Sequence, residues 1–165
     1  VAPGTRVVDV AAGDGAHAEA LARLGLDVWA SAAEPDAARA RLGDALGTDE
    51  AARRTARARP DALGYPDAFA PWLVASRLDA DTLADAFAEA RRVLAPGGWI
   101  WAELDGGDPQ SDDIEARLGA DKEAARHLAA AAATANLAVA SRPTADDARG
   151  TVVVVFRRVD ADTIG

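Results

Sequence analysis

A short apolar run that ends in an acid and two glycines, and then passes directly into a helical pattern, constrains the fold of this chain most strongly. The run is residues 7–15 (VVDVAAGDG), and the helical spacing follows in residues 16–24 (AHAEALARL). Gly13 and Gly15 carry no side chain and tolerate positive φ, so the backbone there can approach a ligand closely. The pattern predicts a strand, a turn of the size of a phosphate or a ribose, and a helix.

A second glycine signature lies about eighty residues further on. Residues 91–98 (RRVLAPGG) are typical of a helix closed by Pro-Gly-Gly, and residues 99–104 (WIWAEL) then indicate a buried strand. Both signatures therefore mark junctions between a helix and a strand.

Strands and helices alternate along the rest of the chain. We expect two short helices between residues 35 and 58, with breaks at Gly43 and Gly47, a short third strand at a sheet edge before Asp61, and a further helix break near Gly119. The expected strands are 7–10, 26–31, 72–75, 99–104, 137–140 and 151–156, and the expected longer helices are 16–24, 79–94 and 114–135.

This alternation predicts a parallel sheet covered by helices on both faces. The last two strands are joined by about ten residues, fewer than a parallel return needs, so the final strand should run antiparallel to its neighbour. We expect one domain over residues 1–165, with a Rossmann-like, doubly wound, mostly parallel sheet of six or seven strands in a three-layer αβα arrangement.

Composition excludes several classes of function. The net charge of −9 disfavours a nucleic-acid partner. With no cysteine and two histidines, we expect no metal site. No apolar run is long enough for a membrane span and no leader is visible, so a cytoplasmic setting is expected. The start at Val1 suggests a processed form or a piece of something longer.

Together the two signatures and the predicted C-terminal hairpin resemble class I S-adenosylmethionine-dependent methyltransferases, whose final strand inserts beside strand five. The resemblance covers nearly the whole chain and implies S-adenosylmethionine as the cofactor. It makes Asp9 the cofactor-site acid at the end of strand one, and it matches Gly13 and Gly15 to the last two glycines of the loop under the cofactor's amino-acid end, with Ala11 where the first glycine of that loop usually stands. It also makes Asp61-Ala62 the contact with adenine, through the carboxylate and the amide of Ala62.

The chain departs from this family at strand two, where an acid normally grips the ribose hydroxyls. Ala32 occupies that position, and Glu34 could reach the ribose only if the turn were reshaped. Losing such a contact costs about 1.5–3 kcal/mol, or about tenfold to a hundredfold in affinity. Pro71 replaces the acid that commonly opens strand four.

The resemblance implies methyl transfer to a small-molecule acceptor by in-line displacement, which needs no compact catalytic signature. Ser76 and Arg77 follow strand four, where ligands bind in open sheets, and are the candidates on the substrate side, with Ser76 also a candidate for the cofactor. His17 either faces the cofactor or substrate or lies at the surface in the first helical turn. A substrate lid is expected to come from a partner chain or from a segment before strand one.

Two other functions stay open. Ala11, Ala32 and Pro71 are compatible with a methyltransferase-like domain that has lost catalysis and serves as a structural or docking module. Residues 13–18 (GDGAHA) also fit a nicotinamide-dinucleotide fingerprint, with Glu34 about twenty residues on. An ionisable Asp9 inside the first strand and the C-terminal hairpin count against that last function.

Overall fold

A single eight-stranded sheet lies at the centre of the structure, a computed structural model that describes residues 1–146 and 148–160. The strand order is β3-β2-β1-β4-β5-β8-β6, with β7 paired to β8. The strands are β1 (Arg6–Val10), β2 (Asp27–Ala32), β3 (Thr55–Arg57), β4 (Ala70–Leu78), β5 (Leu94–Asp105), β6 (Leu137–Val139), β7 (Thr144–Asp146) and β8 (Thr151–Arg158).

The direction of the strands confirms the predicted fold class. Strands β1 to β5 pair in parallel, while β8 runs antiparallel to β5, β6 and β7. The prediction of six or seven strands was one short, because residues 144–146 form strand β7 inside what looked like a polar link. Three residues without an apolar run carry no periodicity from which a strand could be recognised.

Helices cover both faces of this sheet. They are α1 (Ala16–Arg23), α2 (Asp36–Leu46), α3 (Thr48–Arg54), α4 (Leu83–Val93) and α5 (Ile114–Thr134), and a 3₁₀ turn at Ala80–Thr82 precedes α4. The predicted breaks at Gly43 and Gly119 were wrong, because α2 and α5 run through them. A helical glycine costs about 1 kcal/mol, too little to end a helix that is packed on a sheet.

Two hydrophobic cores hold the layers together. Under α4 and α5 the core contains the larger side chains, including Phe87 and Phe156, whose ring centroids are 5.4 Å apart. Under α1, α2 and α3 the core is built mostly of alanine, with Val28 and Leu42 as its larger members. Small side chains let the helices on this second face approach the sheet closely.

The second glycine signature differs from its prediction. Helix α4 ends at Val93 and β5 begins at Leu94, so Pro-Gly-Gly lies within the irregular first part of the strand. The register of β4 on β5 shifts at this point. A Cβ on Gly98 would stand 2.8 Å from the carbonyl oxygen of Pro71, so this glycine permits a close approach between strands.

The four tryptophans lie in strands of the sheet and all remain partly exposed: Trp29, Trp72, Trp99 and Trp101. Trp72 and Trp99 stack with centroids 5.8 Å apart, and the guanidinium of Arg157 lies 5.1 Å from the Trp99 ring.

Among the described residues, no helix is both long enough and apolar enough to cross a bilayer.

Candidate functional site

The order of the strands reverses at β1, which lies between β2 and β4. The connections from β1 and from β4 leave toward opposite faces of a doubly wound sheet, and a crevice forms at the carboxyl ends of the two strands. The loop after β1 and the end of β4 therefore meet at the position where this type of sheet binds its ligands.

Three residues of the loop after β1 have left-handed backbone. They are Ala11 with φ 57°, Gly13 with φ 57° and Gly15 with φ 85°. An alanine in this conformation costs about 1–2 kcal/mol, yet the loop keeps its shape without a glycine at position 11. The amide of Ala12 donates to the carbonyl of Ser31 at 2.8 Å and ties the loop to the end of β2.

Gly13 and Gly15 have different surroundings. A Cβ built on Gly13 meets nothing within 4 Å, and the residue is exposed, so its peptide is open to a ligand. A Cβ on Gly15 would stand 2.6 Å from the Cα of Ala38 in α2. Helix packing thus requires a glycine at position 15, and a cofactor contact there remains a prediction.

Asp9 lies beneath this loop and is fully buried. Neither of its carboxylate oxygens has a hydrogen-bond partner among the described residues. Burial raises the pKa of Asp9 to about 7, and the nearby amide of Ala18, outside hydrogen-bonding geometry, partly offsets this shift. Near neutral pH the Asp9 carboxyl group can therefore be protonated or can accept hydrogen bonds, but it has no access to solvent.

The acids predicted to contact adenosine are engaged in ion pairs. Glu34 is exposed and accepts from Arg57 at 2.9 and 3.2 Å. Asp61 accepts from both Nε and Nη2 of Arg59, which lowers the pKa of the Asp61 carboxyl. Exposed pairs of this kind contribute little in water, so a ligand could displace either arginine.

Two further predicted positions lie beside these acids. Ala32 is buried at the end of β2, and it brings no polar group to the crevice. Ala62 is exposed and forms a bridge with Arg59, its amide donating to the Arg59 carbonyl at 3.0 Å. The amide predicted to meet adenine is therefore occupied by this turn.

The end of β4 brings together two candidates that are 59 residues apart in sequence. The Oγ of Ser76 lies 2.8 Å from Nδ1 of His17, in the first turn of α1. His17 is half-buried, and its ring meets the edge of Trp101 at a centroid distance of 5.9 Å. The structure thus places His17 inward. Arg77 belongs to β4, and its side chain lies outside the part of the chain that is described.

Two residues that sequence reasoning missed complete this cluster. Nη1 of Arg149 lies 3.3 Å from Nε2 of His17, and Nη2 of Arg149 lies 3.2 Å from the buried carboxylate of Glu103. One signal was available, since Glu103 is the only charged residue in the apolar run 99–104. A buried charge usually needs a partner, and the position of that partner depends on the tertiary fold.

An apolar cleft of about 320 Å³ adjoins this cluster between α1 and the sheet. His17, Leu21, Trp72, Val74 and Trp101 are among the residues that line it. The lining of the cleft is almost wholly apolar, which suits a small, largely apolar molecule.

Several solved structures with the same fold carry methyltransferase names, and one is named a [4+2]-cyclase. A methyltransferase from Methanosarcina mazei is 15% identical and aligns over 96% of this chain and 94% of its own, with a TM-score of 0.71. The geranyl diphosphate C-methyltransferase of Streptomyces coelicolor, solved with Mg²⁺, geranyl diphosphate and S-adenosylhomocysteine, is 15% identical over 96% and 74% of the chains, with a TM-score of 0.71.

A third similar structure is 1,6-didemethyltoxoflavin-N1-methyltransferase from Burkholderia thailandensis, solved with 1,6-didemethyltoxoflavin and S-adenosylhomocysteine. It is 18% identical over 96% of this chain and 72% of its own, with a TM-score of 0.69. At these identities the likeness establishes the fold. Among curated proteins, none matches the sequence.

A sequence profile of the family described as "Methyltransferase domain" matches residues 8–102. The match spans more than half of the chain. It includes both glycine signatures, the first of which forms the loop after β1, and it includes Ser76 in β4. The chain therefore belongs to this methyltransferase-domain family, and its fold is the one found in S-adenosylmethionine-dependent methyltransferases.

Proposed function

We propose that this chain transfers the methyl group of S-adenosylmethionine to a small-molecule acceptor by in-line displacement. The observation that carries the proposal is the open, left-handed Gly13 peptide after β1, together with the Ser76–His17 pair, in which Ser76 directly follows the part of β4 that pairs with β1. When bound, the cofactor supplies an electrophilic methyl group. The chain's own residues need to hold both reactants in line and keep water out.

The residues of the crevice fit the cofactor unevenly. The loop at residues 11–15 fits its amino-acid end, because Gly13 is open and lies at the N-terminus of α1. The adenosine end would rest on Asp61, after displacement of Arg59, and on a ribose contact from Glu34 after displacement of Arg57. Ala32 lacks the usual carboxylate, so we expect weaker binding than a complete site gives.

A small acceptor is supported by the size and chemistry of the cleft. Its volume of about 320 Å³ suits a small, apolar molecule, and the net charge of −9 opposes binding of polyanions. The similar proteins of Streptomyces and Burkholderia hold small ligands in their structures, namely geranyl diphosphate and 1,6-didemethyltoxoflavin.

Calorimetric titration with S-adenosylmethionine, S-adenosylhomocysteine and NADH tests the proposal. We expect heat from the first two, at about micromolar affinity, and none from NADH. Gly13→Ala should weaken binding by placing a methyl group on the open side of the loop. Gly4→Ala is the matched control, since Gly4 also has positive φ and open space but precedes β1. Equal affinity in both variants would contradict the proposed cofactor position.

The ion pairs at the adenosine end favour a second function, a docking or structural module without catalysis. Arg57 and Arg59 satisfy the two acids that would otherwise hold the nucleoside, and Ala32 offers no replacement. The absence of binding heat with all three ligands in the same titration would support a docking or structural module. Heat from NADH alone would support a dinucleotide-binding domain.

A further inference from the structure

A chain of polar contacts connects the buried carboxylate of Glu103 to the hydroxyl of Ser76. It passes from Glu103 to Arg149 at 3.2 Å, from Arg149 to Nε2 of His17 at 3.3 Å, and from Nδ1 of His17 to Ser76 at 2.8 Å. Glu103 is 1% exposed. The four residues come from β5, the turn before β8, α1 and β4, so the contact chain exists only in the folded protein.

The arginine determines which imidazole nitrogen carries the proton. A guanidinium only donates hydrogen bonds, so Nε2 of His17 must accept from Arg149. The proton of the neutral ring then resides on Nδ1, which donates to the Oγ of Ser76. Having accepted this bond, Ser76 keeps its own hydroxyl proton for a ligand.

The same tautomer excludes a serine–histidine nucleophile pair at this site. To take a proton from Ser76, Nδ1 would need a free lone pair, and Nε2 would then carry the proton and point it at a guanidinium N–H. Two donors would face each other at 3.3 Å. Ser76 therefore serves as a hydrogen-bond donor and not as an activated nucleophile.

The position of Arg149 is itself strongly determined. Its Nε donates to Asp146 at 2.8 Å. Its Nη2 forms an ion pair with Glu103 at 3.2 Å, outside hydrogen-bonding geometry, and among the described side chains no other cation pairs with this buried carboxylate. Gly150, the next residue, accepts from the amide of Gly106 at 2.9 Å, which ties this turn to the end of β5. The guanidinium is thus held from two sides against His17.

Resting on the proposed function, we infer that Glu103 and Arg149 are positioning residues that fix Ser76 as a hydrogen-bond donor to the methyl acceptor. The acceptor class that fits is a small, largely apolar molecule with an oxygen or nitrogen lone pair near its reacting end. The apolar body would lie along Trp101 and Val74 in the cleft that His17 lines.

Nitrogen-detected NMR of the ligand-free protein tests the positioning. In the wild type we expect the His17 proton on Nδ1. Arg149→Met should shift the population toward the Nε2–H form. Because that variant leaves Glu103 buried and unpaired, the double variant Glu103→Gln/Arg149→Met is also measured. Arg142→Met, at an exposed arginine before β7, is the control and should change nothing.

A wild-type signal from the Nε2–H form, or an unchanged tautomer in both Arg149 variants, would overturn the positioning role. This readout needs no cofactor. The expected tautomer can therefore be found even if S-adenosylmethionine does not bind. A failure of the positioning proposal is thus distinguished from a failure of the proposed function.

Binding of two neutral probes tests the acceptor class. 2-Acetylnaphthalene and 2-isopropylnaphthalene have similar shapes, and only the ketone accepts a hydrogen bond. We expect the wild type to bind the ketone about tenfold more tightly, as one hydrogen bond allows. Ser76→Ala should abolish that difference and Ser76→Thr should retain it. No preference in the wild type, or a preference that survives in Ser76→Ala, would overturn the assignment.

Discussion

Gly15 and Ala38 are in direct backbone contact: a Cβ on Gly15 would stand 2.6 Å from the Cα of Ala38. The contact joins the start of α1 to α2 and fixes one wall of the crevice loop. Residue 15 thus supports the site from behind, whereas Gly13 faces outward with open space around it.

Gly15→Ala should therefore destabilise the protein far more than Gly13→Ala. Both changes place alanine at positive φ, which costs about 1–2 kcal/mol, and only the first adds a backbone clash worth about 1–3 kcal/mol more. Urea unfolding of the two variants measures the difference. Equal midpoints would mean that α2 moves away without cost.

Asp9 should make the stability of the protein fall as pH rises. Its folded-state pKa of about 7 lies above the ordinary value of 3.8 for an aspartate, so the native state binds one more proton than the unfolded state between these two pH values. The stabilisation is complete below about pH 4 and is lost as pH approaches 7, by about 4 kcal/mol in total.

Asp9→Asn should remove this slope, because the amide does not titrate. The quantity to measure is the unfolding free energy of the wild type minus that of the variant from pH 4 to pH 8. Asp44→Asn, at an exposed aspartate of α2, serves as the control. If this difference in unfolding free energy does not change with pH, the pKa of Asp9 is not raised in the folded protein. That result would show that the carboxylate has a hydrogen-bond partner in solution.

Ala32→Asp should tighten the binding of S-adenosylhomocysteine. A carboxylate at the end of β2 would supply the missing ribose contact, worth about a tenfold gain in affinity. Ala33→Asp adds the same charge at the exposed neighbouring position and should have little effect. Calorimetry measures the affinity of both folded variants for S-adenosylhomocysteine. Equal affinities of the two variants would show that residue 32 does not contact the ribose.

Asp61 and Arg59 should affect nucleoside binding in opposite directions. Asp61→Asn removes the carboxylate that would accept from the exocyclic amine of adenine and should weaken binding about tenfold. Arg59→Gln releases that carboxylate from its ion pair and should strengthen binding. If both variants bind as the wild type does, adenine is held elsewhere.

The sequence was sufficient for the architecture because the relevant signals are local. The alternation of strands and helices predicted a parallel sheet and the short C-terminal loop predicted an antiparallel last strand, and both directions were confirmed. The place of that strand beside strand five was implied by the family resemblance and was also confirmed. The helices were predicted, but the breaks at Gly43 and Gly119 were wrong because packing outweighs the small local penalty of a glycine inside a helix.

The site was harder to predict because its contacts join distant parts of the chain. His17 and Ser76 were candidates separately, but nothing local indicates that 59 residues of intervening chain bring them to 2.8 Å. Arg149 stood in a polar turn, and its role depends on Glu103 being buried beneath it.

The edge-on contact of His17 with Trp101 gives the crevice an intrinsic optical reporter. Indole emission responds to a nearby imidazole and to displaced solvent, and this indole lies 5.9 Å from that imidazole and lines the cleft. Ligand entry can therefore be followed by fluorescence without a label, and Trp101→Phe identifies how much of the signal arises there.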